Sequence, residues 1–363
     1  MAVRPRVVKV GSLMVGGDWP VSVQTMWKNP LPDAPDSGPG SLAFKAILGK
    51  IHSLAAMGCD ILRFAVPDEA AARYLGALAE LSPIPLVADI HFDWRLALLC
   101  LDYPIAKIRI NPGNIGARWK TAEVVAKARE RSVPLRIGVN AGSLPEDLRR
   151  AEDLVQACVA AAEREISEFE ALGFGDILVS MKLNDPLQVE EANRRFSEKH
   201  DYPLHLGVTE AGPLIPGVAR NTAALVPLLR DGVGSTIRVS LSDTMESEIL
   251  AGKEILACAG LRRKGVRIIS CPRCGRAGFD THAFVERWAD RLAGIGETLD
   301  VAIMGCVVNG PGEARHADIG ITGAGDWVLM FQKGQEVRKV PREEADRCFS
   351  DLIEGILEEK RNT

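Results

Sequence analysis

The sequence predicts an α/β protein in which an N-terminal (β/α)8 barrel is followed by a smaller α+β domain. Between residues 20 and 245, short β-branched or apolar runs alternate with stretches of helical periodicity, and eight such runs occur. Alternating strands and helices favour parallel pairing, and this number of repeats matches the TIM-type barrel. A new pattern begins near residue 266. We therefore expect a barrel domain over residues 1–265 and a second domain over residues 266–363.

The expected barrel strands follow one another at regular intervals along the chain. They lie at residues 21–26, 59–66, 85–92, 106–111, 135–140, 176–183, 204–211 and 235–242. Helical stretches such as TAEVVAKARERS stand between them, with apolar residues recurring every three or four positions. The Pro- and Gly-rich segment 29–41 is expected as a loop, and MESEILAGKEILACAGLRRKG as the last barrel helix. An open doubly wound sheet is the rival architecture, but no Gly-x-Gly-x-x-Gly follows the early strands.

Length and composition limit the classes of protein that fit. A chain of 363 residues exceeds the usual size of a single core, which favours two domains. With 47% hydrophobic and 25% charged residues it has the balance of a soluble globular protein, and no apolar run is long enough to span a bilayer. The net charge of −4 argues against general nucleic-acid binding. Because the start of the chain lacks the features of a signal peptide, we expect a cytoplasmic protein with neither membrane nor nucleic-acid partners.

Charged side chains interrupt the expected barrel strands, which should be almost continuously apolar in this fold. These charged or polar positions are Arg63, Asp89, His91, Lys107, Arg109, Asn111, Arg136, Asn140, Lys182, His205, Glu210, Arg238 and Ser240. The carboxyl ends of barrel strands are where active sites form, and cations outnumber carboxylates there. The pattern indicates a phosphorylated small-molecule substrate, because the guanidinium fork suits phosphate. Structural ion pairs with Asp89 or Glu210, and histidines that merely fill the core, are the alternative interpretation.

The eight cysteines fall into two groups. Five stand singly in apolar or helical stretches and are expected to be buried thiols: Cys59, Cys100, Cys158, Cys258 and Cys348. The other three, Cys271 and Cys274 in SCPRCGR and Cys306 in MGCVVNGPGE, have the spacing of a metal site. Spacing alone leaves an iron-sulfur cluster and a zinc knuckle open, with Glu313 or His316 as a possible fourth ligand.

Six segments together resemble one enzyme family. SCPRCGR, MGCVVNGPGEARHADIGITG, KIRINPGNIG, LRIGVNAGSL, LHLGVTEAG and IRVSLSD are similar to the bacterial form of the 4-hydroxy-3-methylbut-2-enyl diphosphate synthase family, also called the GcpE/IspG family. The similarity runs from about residue 6 to residue 355. It implies a barrel that binds 2-C-methyl-D-erythritol 2,4-cyclodiphosphate and a C-terminal domain with a 4Fe-4S cluster. It also favours iron over zinc, with Cys271, Cys274, Cys306 and Glu313 as ligands.

The resemblance further implies a reaction, site residues and partners. The reaction is reductive ring opening and dehydration of the cyclic diphosphate in the non-mevalonate isoprenoid pathway, with electrons delivered one at a time through the cluster. The implied substrate-binding residues are Arg63, Asp89, His91, Arg109, Arg136, Asn140, Lys182, Thr209 and Ser240. Glu210, Glu313 and His91 are implied as catalytic, with Glu210 as the main proton-transfer group. Flavodoxin or ferredoxin is the implied electron donor, and the implied assembly is a homodimer in which the cluster domain of one subunit closes over the barrel of the other.

The loop after the first strand departs from the family pattern. The family usually has Met-Thr-Asn-Thr, whereas this chain has Met26, Trp27, Lys28 and Asn29. Contacts from that loop are therefore not carried over. Two other functions also remain open at this point. A dihydropteroate-synthase-like transferase would hold a structural zinc, and a zinc-knuckle nucleic-acid-binding module would need a strongly basic C-terminal domain.

Overall fold

The computed structural model describes residues 2–32, 40–110, 115–261, 265–272, 274–308 and 310–362. The chain divides into two compact units, Met1–Arg262 and Arg263–Thr363. Asn111 and residues 33–39 of the Pro-rich loop, both part of the sequence-based predictions, lie outside the described residues. Within the described ranges, no helix combines the length and the apolar composition needed to cross a bilayer.

The larger unit begins with a short hairpin and continues as a barrel. The hairpin pairs β1 (Val8–Val10) with β2 (Leu13–Val15) in antiparallel fashion. The barrel strands are β3 (Ser22–Met26), β4 (Ile61–Ala65), β5 (Leu86–Ile90), β6 (Lys107–Ile110), β7 (Leu135–Asn140), β8 (Ile177–Lys182), β9 (His205–Leu206) and β10 (Thr236–Ile237). They are hydrogen-bonded in the order β8-β7-β6-β5-β4-β3-β10-β9, and a parallel bridge between Val179 and Leu204 joins the two ends. The predicted fold class is confirmed, and each predicted run contains one strand.

A helix follows each barrel strand and covers the outside of the sheet. These helices are α1 (Leu42–Ala56), α2 (Glu69–Leu81), α3 (Trp94–Cys100), α4 (Arg118–Arg131), α5 (Leu154–Ala171), α6 (Pro186–Ser197), α7 (Leu214–Arg230) and α8 (Met245–Cys258). Asp68, Asp93, Asp153 and Asp185 cap four of them by accepting hydrogen bonds from backbone N–H groups of the first turn. Such caps satisfy donors that have no partner inside the helix, and they mark where each helix begins.

The hairpin forms an apolar floor at the amino-terminal end of the barrel. Its valines pack against Ile61, Val87 and Leu178, which stand at the beginnings of β4, β5 and β8. The sequence pattern did not predict this hairpin. The hairpin thus closes this end of the barrel with apolar side chains.

The smaller unit is a five-stranded sheet with helices. Its elements are β11 (Val266–Ser270), α9 (Thr281–Ala293), β12 (Leu299–Met304), α10 (Gly310–Ala314), β13 (Ile319–Ala324), β14 (Trp327–Gln332), β15 (Gln335–Pro341) and α11 (Ala345–Arg361). The strands follow chain order across the sheet; the first three are parallel, and β14 and β15 add in antiparallel fashion. In the core of this unit Phe284 and Trp288 of α9 stack on each other, and both contact Phe349 of α11 edge to face.

Candidate active site

Charged side chains line the carboxyl half of the barrel interior. Asp89 of β5 is in register with Arg109 of β6, which is in register with Arg136 of β7. Lys182 at the end of β8 stands opposite Asn140 at the end of β7. Successive residues of a strand point to opposite faces, so these positions share the inner face of the barrel. The structure therefore brings the predicted residues of neighbouring strands together at one end.

Asp89 joins the cations nearest the mouth of the barrel. Its Oδ1 accepts a hydrogen bond from Arg109 Nη1 at 3.1 Å, and its Oδ2 lies 3.7 Å from Arg63 Nε. Arg109 Nη1 also lies 3.3 Å from His91 Nδ1. Burial alone would raise the pKa of Asp89, but Arg63, Arg109 and Arg136 outweigh it and lower that pKa. Asp89 is therefore an ionised carboxylate at neutral pH.

A second buried carboxylate, Glu248, comes from the first turn of α8 and was not predicted. Its side chain has 0% exposure, and it forms ion pairs with Lys28 at 3.0 Å and Arg238 at 3.3 Å. Arg238 is thus a member of a structural ion pair, one of the two roles left open for it. A glutamate near a helix N-terminus usually interacts favourably with the helix dipole at the surface, so its burial could not be predicted from the sequence pattern. Among the described residues of the barrel interior, Asp89 and Glu248, and not Glu210, form the ion pairs with cations.

The other cations of the interior lack such partners. No described carboxylate lies at ion-pair distance from Lys107, Arg136 or Lys182, and the Nε and Nη1 atoms of Arg136 are buried without a hydrogen-bond partner. Burial first, and repulsion from neighbouring cations second, lower the pKa values of all three well below their ordinary range. The same causes lower the pKa of the fully buried His205. Such an excess of buried positive charge is what a polyanionic ligand would neutralise.

Two glycines make room for the side chains of Arg109 and Lys182. A Cβ atom at Gly138 would stand 2.7 Å from Arg109 Nε, and one at Gly207 would stand 2.9 Å from Lys182 Nζ. Both distances are too short for a real side chain. The glycine of the LRIGVN segment is therefore explained by the close approach of Arg109. At Gly207 of the LHLGVT segment the Arg238 carbonyl oxygen would stand still closer to a Cβ atom, at 2.4 Å, so both this backbone oxygen and Lys182 require glycine there.

The remaining predicted residues stand at the mouth of the barrel. The His91 side chain is 50% exposed, Glu210 is exposed, and Thr209 and Ser240 are half-buried. Glu210 has a φ of +51°, in the left-handed region that non-glycine residues seldom adopt. Strained backbone of this kind is concentrated at functional sites. The exposed Glu210 side chain could thus contact a ligand that enters through the mouth of the barrel.

The three cysteines of the metal motif lie in the loops that follow β11 and β12, at the carboxyl ends of these strands. Cys271 directly follows β11, and Cys306 follows β12, its parallel neighbour. The Gly305 N–H donates a hydrogen bond to Cys271 Sγ at 3.1 Å, and the Gly278 N–H donates to the Gly305 carbonyl at 2.8 Å. The second bond ties the loop of Cys274 to that of Cys306. Among the described residues, no three His, Cys, Asp or Glu side chains converge closely enough to hold a metal ion.

The chemistry of these loops nevertheless fits an iron-sulfur ligand set. Thiolates are the usual ligands of such clusters, and backbone hydrogen bonds to sulfur tune their potentials. Glu313 is exposed on α10, whose first residue, Gly310, packs so closely on Thr322 that a Cβ atom there would overlap its hydroxyl. Only glycine lets α10 lie against β13 in this way. Glu313 thus lies on the short helix between β12 and β13, in the same connection as Cys306.

The cysteines outside the motif are buried with one exception. Cys59, Cys100, Cys158 and Cys348 are buried, as predicted, whereas Cys258 is exposed. The prediction for Cys258 was wrong because this residue ends α8, where the helix leaves the barrel core.

Solved structures of other enzymes share the fold. Dihydropteroate synthase from Yersinia pestis superposes with a TM-score of 0.51 at 14% identity, covering 70% of this chain and 98% of that chain. Dihydropteroate synthase from Stenotrophomonas maltophilia gives a TM-score of 0.51 at 16% identity, covering 71% and 99%. At such low identity the likeness concerns the fold alone.

Family profiles and close relatives identify the chain more narrowly. The GcpE TIM-barrel domain matches residues 5–253, and the GcpE protein C-terminal domain matches residues 267–355. A relative from Treponema pallidum is 49% identical over 97% of this chain and 88% of its own length. One from Geobacter sulfurreducens is 47% identical over 99% of this chain and 100% of its own length. Both are named 4-hydroxy-3-methylbut-2-en-1-yl diphosphate synthase (flavodoxin), which confirms the predicted family and its enzymatic character. The chain belongs to the GcpE family.

Proposed function

We propose that this chain converts 2-C-methyl-D-erythritol 2,4-cyclodiphosphate to 4-hydroxy-3-methylbut-2-enyl diphosphate in the non-mevalonate isoprenoid pathway. The conversion takes up two electrons and two protons, breaks a carbon–oxygen bond of the cyclic diphosphate and releases one water. The observation that carries the proposal is the cationic barrel interior, in which Lys107, Arg136 and Lys182 are buried with no carboxylate partner among the described residues. It supplies the charge that a bound diphosphate requires.

The barrel residues would bind the diphosphate and offset the charge that grows on it. Arg109, Arg136 and Lys182 converge on the interior from neighbouring strands, so they can surround one anion. Asp89 holds Arg63 and Arg109 in place, so that these cations need not reorganise when the carbon–oxygen bond breaks. Preorganised charge of this kind favours the transition state over the ground state.

Polar groups at the mouth would contact the carbon skeleton and move protons. Glu210 is exposed there and could donate a proton to the departing hydroxyl group, with His91 as a secondary candidate. Asn140, Thr209 and Ser240 offer amide and hydroxyl groups to the substrate oxygens. These roles remain predictions from the matching motifs.

Cys271, Cys274, Cys306 and Glu313 would hold the cofactor, which we propose to be a 4Fe-4S cluster. When bound, it supplies single electrons and a Lewis-acidic iron. Metal binding commonly completes a site that the free chain leaves open. We propose flavodoxin as the electron donor, as in the names of the relatives, with ferredoxin as the alternative. A homodimer and a cytoplasmic setting also remain predictions.

Anaerobic purification, metal analysis and an activity assay test the proposal together. The protein should contain iron and sulfide, absorb in the visible range, and convert the cyclic diphosphate when an artificial reductant is supplied. Iron-loaded protein that fails to consume the cyclic diphosphate would overturn the proposed reaction. Zinc in place of iron would overturn the cofactor.

Single substitutions test the cluster ligands. Cys306→Ser should abolish the visible spectrum, whereas Cys258→Ser, at an exposed cysteine outside the motif, should leave it unchanged. Glu313→Ala should weaken cluster retention or turnover. An unchanged spectrum in Cys306→Ser, or full turnover with a retained cluster in Glu313→Ala, would remove that residue from the ligand set.

A further inference from the structure

Glu248 is the meeting point of three separate segments of the barrel. Thr25 Oγ1 of β3 donates a hydrogen bond to Glu248 Oε2 at 2.6 Å, and the Leu241 N–H donates to Oε1 at 3.1 Å. Arg238 Nη2 lies 3.3 Å and Lys28 Nζ 3.0 Å from Oε1. Both carboxylate oxygens are therefore occupied by protein donors. A buried carboxylate with this many donors holds segments together and has little capacity left for a ligand.

Lys28 fastens the loop after β3 to the segment after β10. Besides its ion pair with Glu248, its Nζ donates to the Leu241 carbonyl at 2.9 Å and to the Asp243 carbonyl. An ammonium group has three donors, and these contacts use all of them. Lys28 stands at a position where the family pattern usually has asparagine. The contacts of its ammonium group are therefore not among those that the resemblance implies.

We propose that Glu248 is a positioning residue for the anion site: with Lys28 it clamps the first-strand loop to the segment that carries Arg238 and Ser240. The inference deepens the proposed function, because Ser240 is one of its expected substrate contacts. Glu248 and Lys28 act on the substrate only through the backbone and side chains that they hold. Without the clamp, the segment after β10 loses the hydrogen bonds and ion pair that link it to β3 and to the loop after β3.

Three variants separate the clamp from a general effect on stability. Glu248→Gln keeps the size of the side chain but removes its charge, and Lys28→Met removes only the fastening of the loop. Lys50→Met is the matched control, because it breaks the partly exposed ion pair of Lys50 with Glu246, which likewise ties the first turn of α8 to another segment, here α1. Circular dichroism and the thermal transition establish that each variant is folded.

Two readouts are measured on each folded variant: kcat/KM with the cyclic diphosphate, and amide hydrogen exchange over residues 240–243. Glu248→Gln should lower kcat/KM by about tenfold or more and speed the exchange by a similar factor, because charge-assisted hydrogen bonds are lost. Lys28→Met should show both changes to a smaller extent. Lys50→Met should show neither.

The outcomes distinguish the clamp from its rivals and from the reaction itself. Unchanged exchange in both Glu248→Gln and Lys28→Met would overturn the clamp, whatever happens to activity. Tighter binding of inorganic pyrophosphate by Glu248→Gln, with unchanged exchange, would show that Glu248 acts only through its charge. If wild-type protein fails to turn over the substrate, the proposed function fails, while the exchange measurement still decides whether the clamp exists.

Discussion

Replacing Lys107 by methionine should make the barrel more stable. The Lys107 side chain is completely buried, and its hydrogen-bond partner is Gln24 Oε1 at a long 3.5 Å. Burial, together with repulsion from Arg136 and Arg63, lowers its pKa well below the ordinary range. Methionine has a similar volume and no charge, so it would remove this cost while keeping the packing.

The size of the gain follows from the groups that change. Replacing buried charged groups by apolar ones of similar volume stabilises other proteins by about 1–4 kcal/mol. Against this, Gln24 Oε1 would lose its donor, at a cost of about 1 kcal/mol. We therefore expect a net gain of about 1.5 kcal/mol, or a rise of about 3–6 °C in the Tm of the barrel.

The gain should depend on pH in a defined direction. Because the folded-state pKa of Lys107 is lowered, the unfolded chain binds more protons between that value and the ordinary value near 10.5. The wild-type protein therefore gains stability as pH rises through this window, by at most about 1.4 kcal/mol per pH unit. The advantage of Lys107→Met should be largest below the folded pKa and should vanish as pH approaches 10.5.

Thermal unfolding of both proteins over a series of pH values is the assay. Lys45→Met, at an exposed position of α1, is the control and should change stability by less than about 0.5 kcal/mol. A less stable Lys107→Met variant would refute the reasoning, because it would show that the amine is well satisfied inside the barrel. A gain that does not shrink with rising pH would refute the electrostatic cause.

Three further predictions concern glycines and thiols. Gly138→Ala should displace Arg109, since its Cβ atom would stand 2.7 Å from Nε, and should weaken inorganic pyrophosphate binding by about tenfold in titration calorimetry; undiminished affinity would contradict this. Gly49→Ala, exposed within α1 and with no described atom within 4 Å of the new Cβ, should raise stability by about 0.5–1 kcal/mol in thermal unfolding; a lower Tm would count against it. In folded protein a thiol reagent should label Cys258 but not Cys59, whose pKa burial raises to about 12; mass spectrometry of the labelled peptides checks this, and equal labelling would contradict it.

The barrel could be predicted because its strands alternate with helices along the whole domain. The cations could be located because each interrupts an otherwise apolar strand, as Arg109 does in KIRI and Arg136 in LRIGVN. Side-chain alternation then fixes which of them share the inner face. These sequence patterns are local, so they can be recognised without knowledge of the tertiary fold.

Other features depend on contacts between distant segments, which no local pattern records. Glu248 looks like an ordinary helix-capping glutamate, and its burial follows only from the approach of Lys28 and Arg238. The floor of the barrel is a hairpin whose apolar residues are too few to stand out in the sequence. Strands β9 and β10 are two residues each, because the runs that predicted them continue as loops toward the mouth.

The cationic interior explains how the protein could favour ring opening over simple binding. In the cyclic diphosphate each phosphorus bears an ester bond to carbon, and breaking one of these bonds adds a third ionisable oxygen to the diphosphate. Cations that no described carboxylate partners, such as Lys107 and Arg136, would therefore interact more strongly with the opening ring than with the intact one. Interactions that strengthen toward the transition state raise kcat. In the ligand-free protein the same buried cations repel one another and lower the free energy of unfolding. The Lys107→Met variant should consequently have a higher Tm and a lower kcat than the wild-type protein. A higher Tm at unchanged kcat would show that the destabilising burial of the Lys107 amine does not contribute to the reaction.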